Sequence, residues 1–275
     1  MSNYKVGFIG GGNMAQALTG GLISSGYNPK DLFIAEPAAS QREVLASAYP
    51  DVVVGESNTD VANRVDCLLL AVKPQLMRNV CLEIADSVQA NRPLIISVAA
   101  GTHSRDIDAW LGGELAVVRV MPNQPALLLQ GTSGLFANDL ATNEQRDKAT
   151  EIMSAVGSVV HVPDEASIDA VTAISGTGPA YFYLLIDMLI RSAEDFGLDP
   201  RAAHKLVMDT AQGSSALAAT SGESMDAMIA RVRSPGGTTA AAFDVFDKEK
   251  VRDIFAAAFT AARDKAVELA ERSDS

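Results

Sequence analysis

The sequence predicts an α/β chain in two parts, an N-terminal doubly wound parallel sheet followed by an all-helical region. Three observations carry this. Short apolar runs bounded by turn residues alternate with helix-forming stretches over roughly the first 160 residues, the pattern of right-handed crossovers. One run, Asp66-Cys67-Leu68-Leu69-Leu70-Ala71-Val72, is almost without polar positions, as a strand covered on both faces requires. Beyond Val162 the strands stop and helical periodicity takes over. The change falls near Pro163-Asp164 and divides residues 1–162 from residues 163–275.

Val6-Gly7-Phe8-Ile9 reads as the first strand, broken by Gly10-Gly11-Gly12 and followed by a helix through Leu18, Leu22 and Ile23. In G-x-G-x-x-A terms, Gly10 makes the tight turn and Gly12 lets backbone approach a pyrophosphate. Ala15 is the small residue where helix and strand pack closely. The helix start, with Asn13 and Met14, aims free N–H groups and a positive dipole end at phosphates. The competing reading is a turn whose small residues serve packing alone. The strand–turn–helix context favours a dinucleotide.

Residues 31–36 read as the second strand, 38–48 as a helix and 52–54 as a short strand. Lys73-Pro74 closes the apolar run, and Pro74 suits the first turn of the next helix. Residues 94–98 and 117–121 are further strands; short ones at 133–136 and 158–162 bracket a helix at about 143–156. In the second part, residues 168–174 read as helical. Pro179 opens a helix whose residues 180–186 are apolar nearly all round, which requires burial on most sides. Gly197 stops it, and Asp199-Pro200 restarts the chain as N-cap and first-turn proline. The next helix is rich in small residues, and helical segments at 239–246 and 249–271 complete the chain. With so few polar faces, this region doubles as a subunit interface.

The chain has 275 residues, 48% hydrophobic and 20% charged, an ordinary globular balance. Its net charge of −12 argues against nucleic acid or anionic membrane as partner. The N-terminus does not read as a signal peptide, and no apolar run reaches the roughly 18 residues of a membrane span, the longest being broken by Asp187. Two cysteines and three histidines lack metal-ligand or redox spacing, so no metal is expected and a reducing, cytoplasmic setting fits.

Glu36 ends the second strand, 26 residues after Gly10. A carboxylate there accepts hydrogen bonds from adenosine ribose hydroxyls and repels a 2′-phosphate. Arg42, close behind, can reach such a phosphate, so NADH and NADPH both stay open; a solvated strand-end carboxylate is the third reading. Ala71, Val72, Lys73 and Pro74, like Val98, Ala99 and Ala100, lie at carboxyl ends of strands, the edge that carries the ligand crevice. Lys73 reads as a cofactor contact or a surface lysine. Ser175-Gly176-Thr177-Gly178-Pro179 and Ser234-Pro235-Gly236-Gly237-Thr238-Thr239 read as loops opening onto helices. From composition they are ordinary interhelical turns; as helix starts they offer N–H groups to a carboxylate. The lack of a nucleophile constellation beside a dinucleotide fold points to hydride transfer, with the cofactor supplying the chemistry.

FIGGGNMA at the start, AVKP at 71–74, SVAAG at 97–101, RVMPNQPA at 119–126, IDAVTAISGTGPAYF at 168–182 and SPGGTT at 234–239 together resemble the pyrroline-5-carboxylate reductase family, in order and over nearly the whole chain. The resemblance implies a Rossmann-like domain and a helical dimerisation domain. It implies NAD(P)H-dependent reduction of 1-pyrroline-5-carboxylate to L-proline, the last step of proline synthesis. It further implies an intertwined homodimer, often in larger rings, with active sites where subunits meet. By position, Gly10 to Met14, Asn58, Lys73 and Val98 to Ala100 match cofactor contacts. Glu165, Ser175 to Gly178 and Ser234 to Thr239 match substrate contacts, with the Thr239 hydroxyl near the substrate ring. Glu36 leaves the cofactor choice open, and Arg231 replaces a smaller polar residue of some members.

A protonated cyclic imine accepts hydride without covalent catalysis, so positioning is what it needs. A weak donor such as Thr239, or none, suffices. The runner-up is a related imine or β-hydroxyacid reductase, the latter expected to place a catalytic lysine in the helical part. Lys205 is the lysine available between residues 163 and 247. A non-catalytic nucleotide-sensing protein would keep the glycine turn without needing two further anion-binding turns.

Overall fold

The structure, a computed structural model, describes residues 4–272. Its strands are β1 (Val6–Ile9), β2 (Leu32–Ala35), β3 (Val53–Gly55), β4 (Cys67–Leu70), β5 (Leu94–Ser97), β6 (Val117–Met121), β7 (Gly131–Ala137) and β8 (Gly157–His161). They form one sheet in the order β3-β2-β1-β4-β5-β6-β7-β8. From β1 the chain builds outward to β3, then returns to lay β4 on the other side of β1. The carboxyl ends of β1 and β4 are therefore the switch point where ligands bind in such sheets.

Crossover helices α1 (Asn13–Ser24), α2 (Ala39–Ala48), α3 (Asn58–Ala62), α4 (Pro74–Asn91), α5 (Ser104–Trp110) and α6 (Asn143–Ser154) cover both faces. Every residue of β1, β2, β4 and β5 is buried, which is why these strands read as unbroken apolar runs. Phe8, Leu18, Ile34, Leu69 and Val120 fill the core on one face; Ile9, Leu70, Met77, Ile84 and Val117 fill it on the other. Thr142 and Gln145 form a capping box that starts α6. Cys67 and Cys81 are free and buried, and burial pushes both thiols up to about 12, so they act as small apolar side chains.

One expectation for the sheet is corrected. It is mixed, because β7 runs antiparallel to β6. Residues 122–130 join the two strands through a 3₁₀ turn (Gln124–Leu128), too short for the dozen or so residues of a parallel crossover. The α6 crossover then restores parallel pairing between β7 and β8.

The chain divides into two compact units, one running to Thr177 and including the chain from Ala262, the other Gly178–Ala261. The division thus falls later than the change of periodicity at 162/163. The reason is α7 (Ala166–Val171), which is helical but packs on β6 and β7. Gly134 of β7 makes room for it: a Cβ there would stand 2.7 Å from the Val171 methyl carbons. The last turns of α12 (Val251–Arg272) also belong to the sheet unit, where Leu269 lies close against Gly101.

The second unit comprises α8 (Gly178–Asp195), α9 (Pro200–Thr220), α10 (Met225–Val232), α11 (Thr238–Lys248) and the start of α12. Asp199 caps α9 by accepting from the Arg201 and Ala202 N–H groups. The burial expected of the apolar helix is not met inside the protomer: Phe182 is 62% exposed and Leu184 54%. Ala166–Asp195 also forms a stretch long and apolar enough to cross a membrane, at mean hydropathy 1.3, contrary to the expectation that none exists. Its start is fixed to the sheet unit by a buried ion pair of Asp169, which argues against a span. Its exposed faces need a protein cover.

Candidate functional site

Gly10 leaves β1 with φ of +97°, and its N–H donates to the Ala35 carbonyl at 2.8 Å. A Cβ at this position would stand 2.8 Å from the Ala71 carbonyl oxygen, so the turn at the switch point requires glycine. Gly11 is held from several sides. Its N–H donates to Glu36 Oε2 at 2.9 Å, and its carbonyl accepts from the Gln41 and Gln16 amides at 2.9 and 3.2 Å. Gly12 is the N-cap of α1, and a Cβ there would meet nothing within 4 Å. No side chain caps α1, and its first turn holds no acid. Gly12 and Asn13 are exposed, with Met14 half-buried. The open, uncapped helix start is what a pyrophosphate requires.

Glu36 stands just past β2, and its Oε1 accepts the Ala38 N–H at 2.9 Å. With one N–H on each oxygen, the carboxylate keeps further acceptor capacity. Arg42 donates to the Glu36 and Pro37 carbonyls at 2.9 and 2.8 Å and pairs with Glu56 at 3.3 Å. It is thus held beside the strand-end turn. Lys73 is exposed at the N-cap position of α4, with Pro74 at the first helical position. Val98 N–H donates to the Leu70 carbonyl at 3.2 Å, which sets residues 98–100 beside Ala71 and Val72. Ala99 is buried, with Val98 and Ala100 half-buried. Asn58 begins α3 and donates to Glu83 on α4 at 3.0 Å. Gly10–Met14, Glu36, Ala71–Pro74 and Val98–Ala100 all lie at the carboxyl edge of the sheet.

The segment expected as a loop at Ser175–Gly178 is corrected. Thr172–Gly176 is a π-helical turn, and α7, this turn and α8 form one nearly continuous helix. The Thr177 N–H and hydroxyl both donate to the Thr172 carbonyl, at 2.8 and 3.0 Å. Such widened turns interrupt the usual ladder and recur at functional sites. Ser175 to Thr177 belong to the first unit, and Gly178 begins the second. Pro179 lacks an N–H and so cannot continue the ladder.

Ser234–Thr239 lies in the second unit, ahead of α11. Gly236 takes φ of +72°, and the Gly237 N–H closes the turn on the Ser234 carbonyl at 3.0 Å. The N-cap is Gly237, with no side-chain cap bond and no acid in the first turn. Thr239 is therefore inside the helix and not its cap. Arg231 forms an ion pair with Glu223 within this unit.

Reading the sequence missed Arg119, which is fully buried in β6. It pairs with Asp169 at 3.2 Å and Glu165 at 3.4 Å. Glu165, expected as a substrate contact, also accepts the Ser104 N–H at 2.6 Å and its hydroxyl at 2.7 Å. The one available signal was a lone arginine inside Val117-Val118-Arg119-Val120-Met121.

The same edge and helices frame the comparisons with known proteins. A family model described as pyrroline-5-carboxylate reductase dimerisation matches residues 165–269. One described as NADP oxidoreductase, coenzyme F420-dependent, matches residues 5–101. A pyrroline-5-carboxylate reductase of Pseudomonas aeruginosa is 41% identical over 272 residues, covering 99% of each chain. The chain belongs to the pyrroline-5-carboxylate reductase family. The solved structure of a family member from Coxiella burnetii has a TM-score of 0.90 at 36% identity, covering 98% of this chain and 99% of that one. A Plasmodium falciparum pyrroline carboxylate reductase with NADP bound has a TM-score of 0.87 at 28% identity, covering 98% and 99%. The family's dimerisation region coincides with the exposed apolar helices, which accounts for faces that a lone protomer leaves uncovered.

Proposed function

We propose that the chain reduces 1-pyrroline-5-carboxylate to L-proline, with NADPH or NADH as hydride donor, as the last step of proline synthesis. Full-length membership of the reductase family carries the reading. The residues present fit the cofactor: the uncapped α1 start with open space at Gly12 suits the pyrophosphate, and Glu36 suits the ribose. Asn58, Ala71 to Pro74 and Val98 to Ala100 would complete its surroundings. When bound, the reduced nicotinamide supplies the hydride.

The chain's own task is then to hold the imine. N–H groups at the start of α11, with Ser234 to Thr238, clamp the substrate carboxylate; Ser175 to Gly178 are the further candidate substrate contacts. Thr239, with no cap to serve, holds or donates the proton at the ring nitrogen. The working unit is a homodimer through the helical region, gathered into larger rings, in the cytoplasm. Residues 1–162 serve the cofactor and residues 163–275 the substrate and the partner copy.

The β-hydroxyacid alternative is disfavoured by Lys205. It is exposed and bonded to Asp209 at 2.7 Å, which raises its pKa and keeps it charged. A catalytic base needs the opposite shift. The test mixes protein, reduced cofactor and pyrroline-5-carboxylate, following loss of nicotinamide absorbance and formation of proline. Oxidation with a β-hydroxyacid, or cofactor binding without turnover, would select the alternative or a nucleotide sensor.

A further inference from the structure

We infer that Arg119, with Met121 and Asn123, positions the substrate-side π turn against the cofactor edge of the sheet, so that β6 sets the spacing between them. The inference rests on the reductase reading and concerns residues to which that reading gives no role. Alternate residues of a strand share a face. Along that face of β6, Arg119 reaches Asp169 and Glu165, at 3.2 and 3.4 Å. One step on, Met121 lies so close to Gly176 that a Cβ there would overlap its terminal methyl. Past the strand end, the Asn123 amide donates weakly to the Ser175 hydroxyl at 3.5 Å. Arg119 and Met121 on one face of β6, and Asn123 just past its end, thus meet the stretch that carries the π turn.

The same cluster reaches the cofactor side. Glu165 is bound by the N–H and hydroxyl of Ser104, which starts α5 directly after the loop holding Val98 to Ala100. His103 Nδ1 lies 3.5 Å from the Arg119 guanidinium and 3.6 Å from Glu165 Oε1. One carboxylate therefore joins the loop after β5 to the helix before the π turn.

Stability alone does not account for this arrangement. A buried ion cluster is often no more stabilising than apolar side chains of equal volume. Arg119 Nε is moreover buried without a hydrogen-bond partner, in a strand of otherwise apolar residues. What a guanidinium adds is direction, because its rigid fork orients both carboxylates and with them α7. Arg119 is a positioning residue.

The test uses the full chain with Glu165→Gln and with the triple variant Arg119→Met, Glu165→Gln, Asp169→Asn. The triple variant leaves no uncompensated buried charge and so guards against simple unfolding. In both, amide exchange over residues 172–177 is expected to accelerate about tenfold or more while the glycine turn keeps its protection. The NADPH Kd, read by cofactor fluorescence, stays within about twofold, and kcat/KM for pyrroline-5-carboxylate falls about 10- to 100-fold, mostly through KM. Parallel loss of NADPH affinity would mean general loosening and overturns the inference. Unchanged exchange at 172–177 also overturns it, including when KM rises, since that pattern belongs to direct substrate contact by Glu165. A wild type that does not turn over pyrroline-5-carboxylate sinks the reductase reading by itself, and the exchange comparison still decides whether the cluster holds the turn.

Discussion

Two side chains carry residue-scale expectations that the structure sharpens. Glu36 holds the glycine turn through Gly11 as well as facing the cofactor edge, so Glu36→Ala would disturb both functions. Glu36→Gln is the cleaner probe, because it keeps an acceptor and removes the charge. Its NADPH-to-NADH ratio of kcat/KM should rise about tenfold to a hundredfold, the worth of a charge-assisted hydrogen bond of about 1.5–3 kcal/mol. Steady-state kinetics with both cofactors measure it, and an unmoved ratio retires the ribose role. For Thr239, the N-cap position is held by Gly237, so the threonine hydroxyl does not cap α11. Thr239→Val should therefore keep the thermal midpoint while turnover drops roughly ten- to a thousandfold, with Thr239→Ser restoring most of it. Normal turnover in the valine variant would leave the hydroxyl without a chemical role.

At the scale of elements, the seating of α7 on the sheet depends on Gly134. Its missing side chain lets the stiff, branched Val171 approach β7, and a methyl group there would collide with both Val171 methyl carbons. Gly134→Ala is expected to cost about 1–3 kcal/mol, read as a lower urea midpoint with unchanged slope. Val171→Ala in the same chain should recover much of that loss, the coupling expected of residues in contact. A Gly134→Ala protein as stable as wild type would contradict the packing described. The neighbouring elements also show where sequence reading succeeds and stops. β1, β4 and β5 were legible because burial on both faces leaves continuous apolar runs with glycine or proline at their ends. The direction of β7 was not, since it depends on the length of a link and not on the strand's own residues. The π turn differs from a loop by its backbone hydrogen bonds, and glycine-rich composition looks the same in both. The Arg119 cluster was invisible because its carboxylate partners lie 46 and 50 positions away in sequence.

For the whole molecule, the question is what covers the helical region. In α10 and α11 no residue is buried, and in α8 only Gly178 is, among the described residues of one protomer. Leu184, Leu185, Met188 and Leu189 of α8 are each more than two-fifths exposed. Burying one such side chain stabilises by about 1.5–3 kcal/mol, and in a twofold dimer each contributes twice. A lone protomer forgoes this and leaves a broad apolar face to water. The dimer is therefore expected to be obligate, with folding and association inseparable. Leu185→Asp puts a charge on that face in both copies at once, and is expected to give aggregated or unfolded protein. Sedimentation of the wild type across a range of concentrations gives the independent check. It should report dimers or larger assemblies down to the lowest concentration that keeps activity. A stable, active monomer would show that the apolar face is covered in some other way, and would remove the reason for a dimer drawn from these exposed helices.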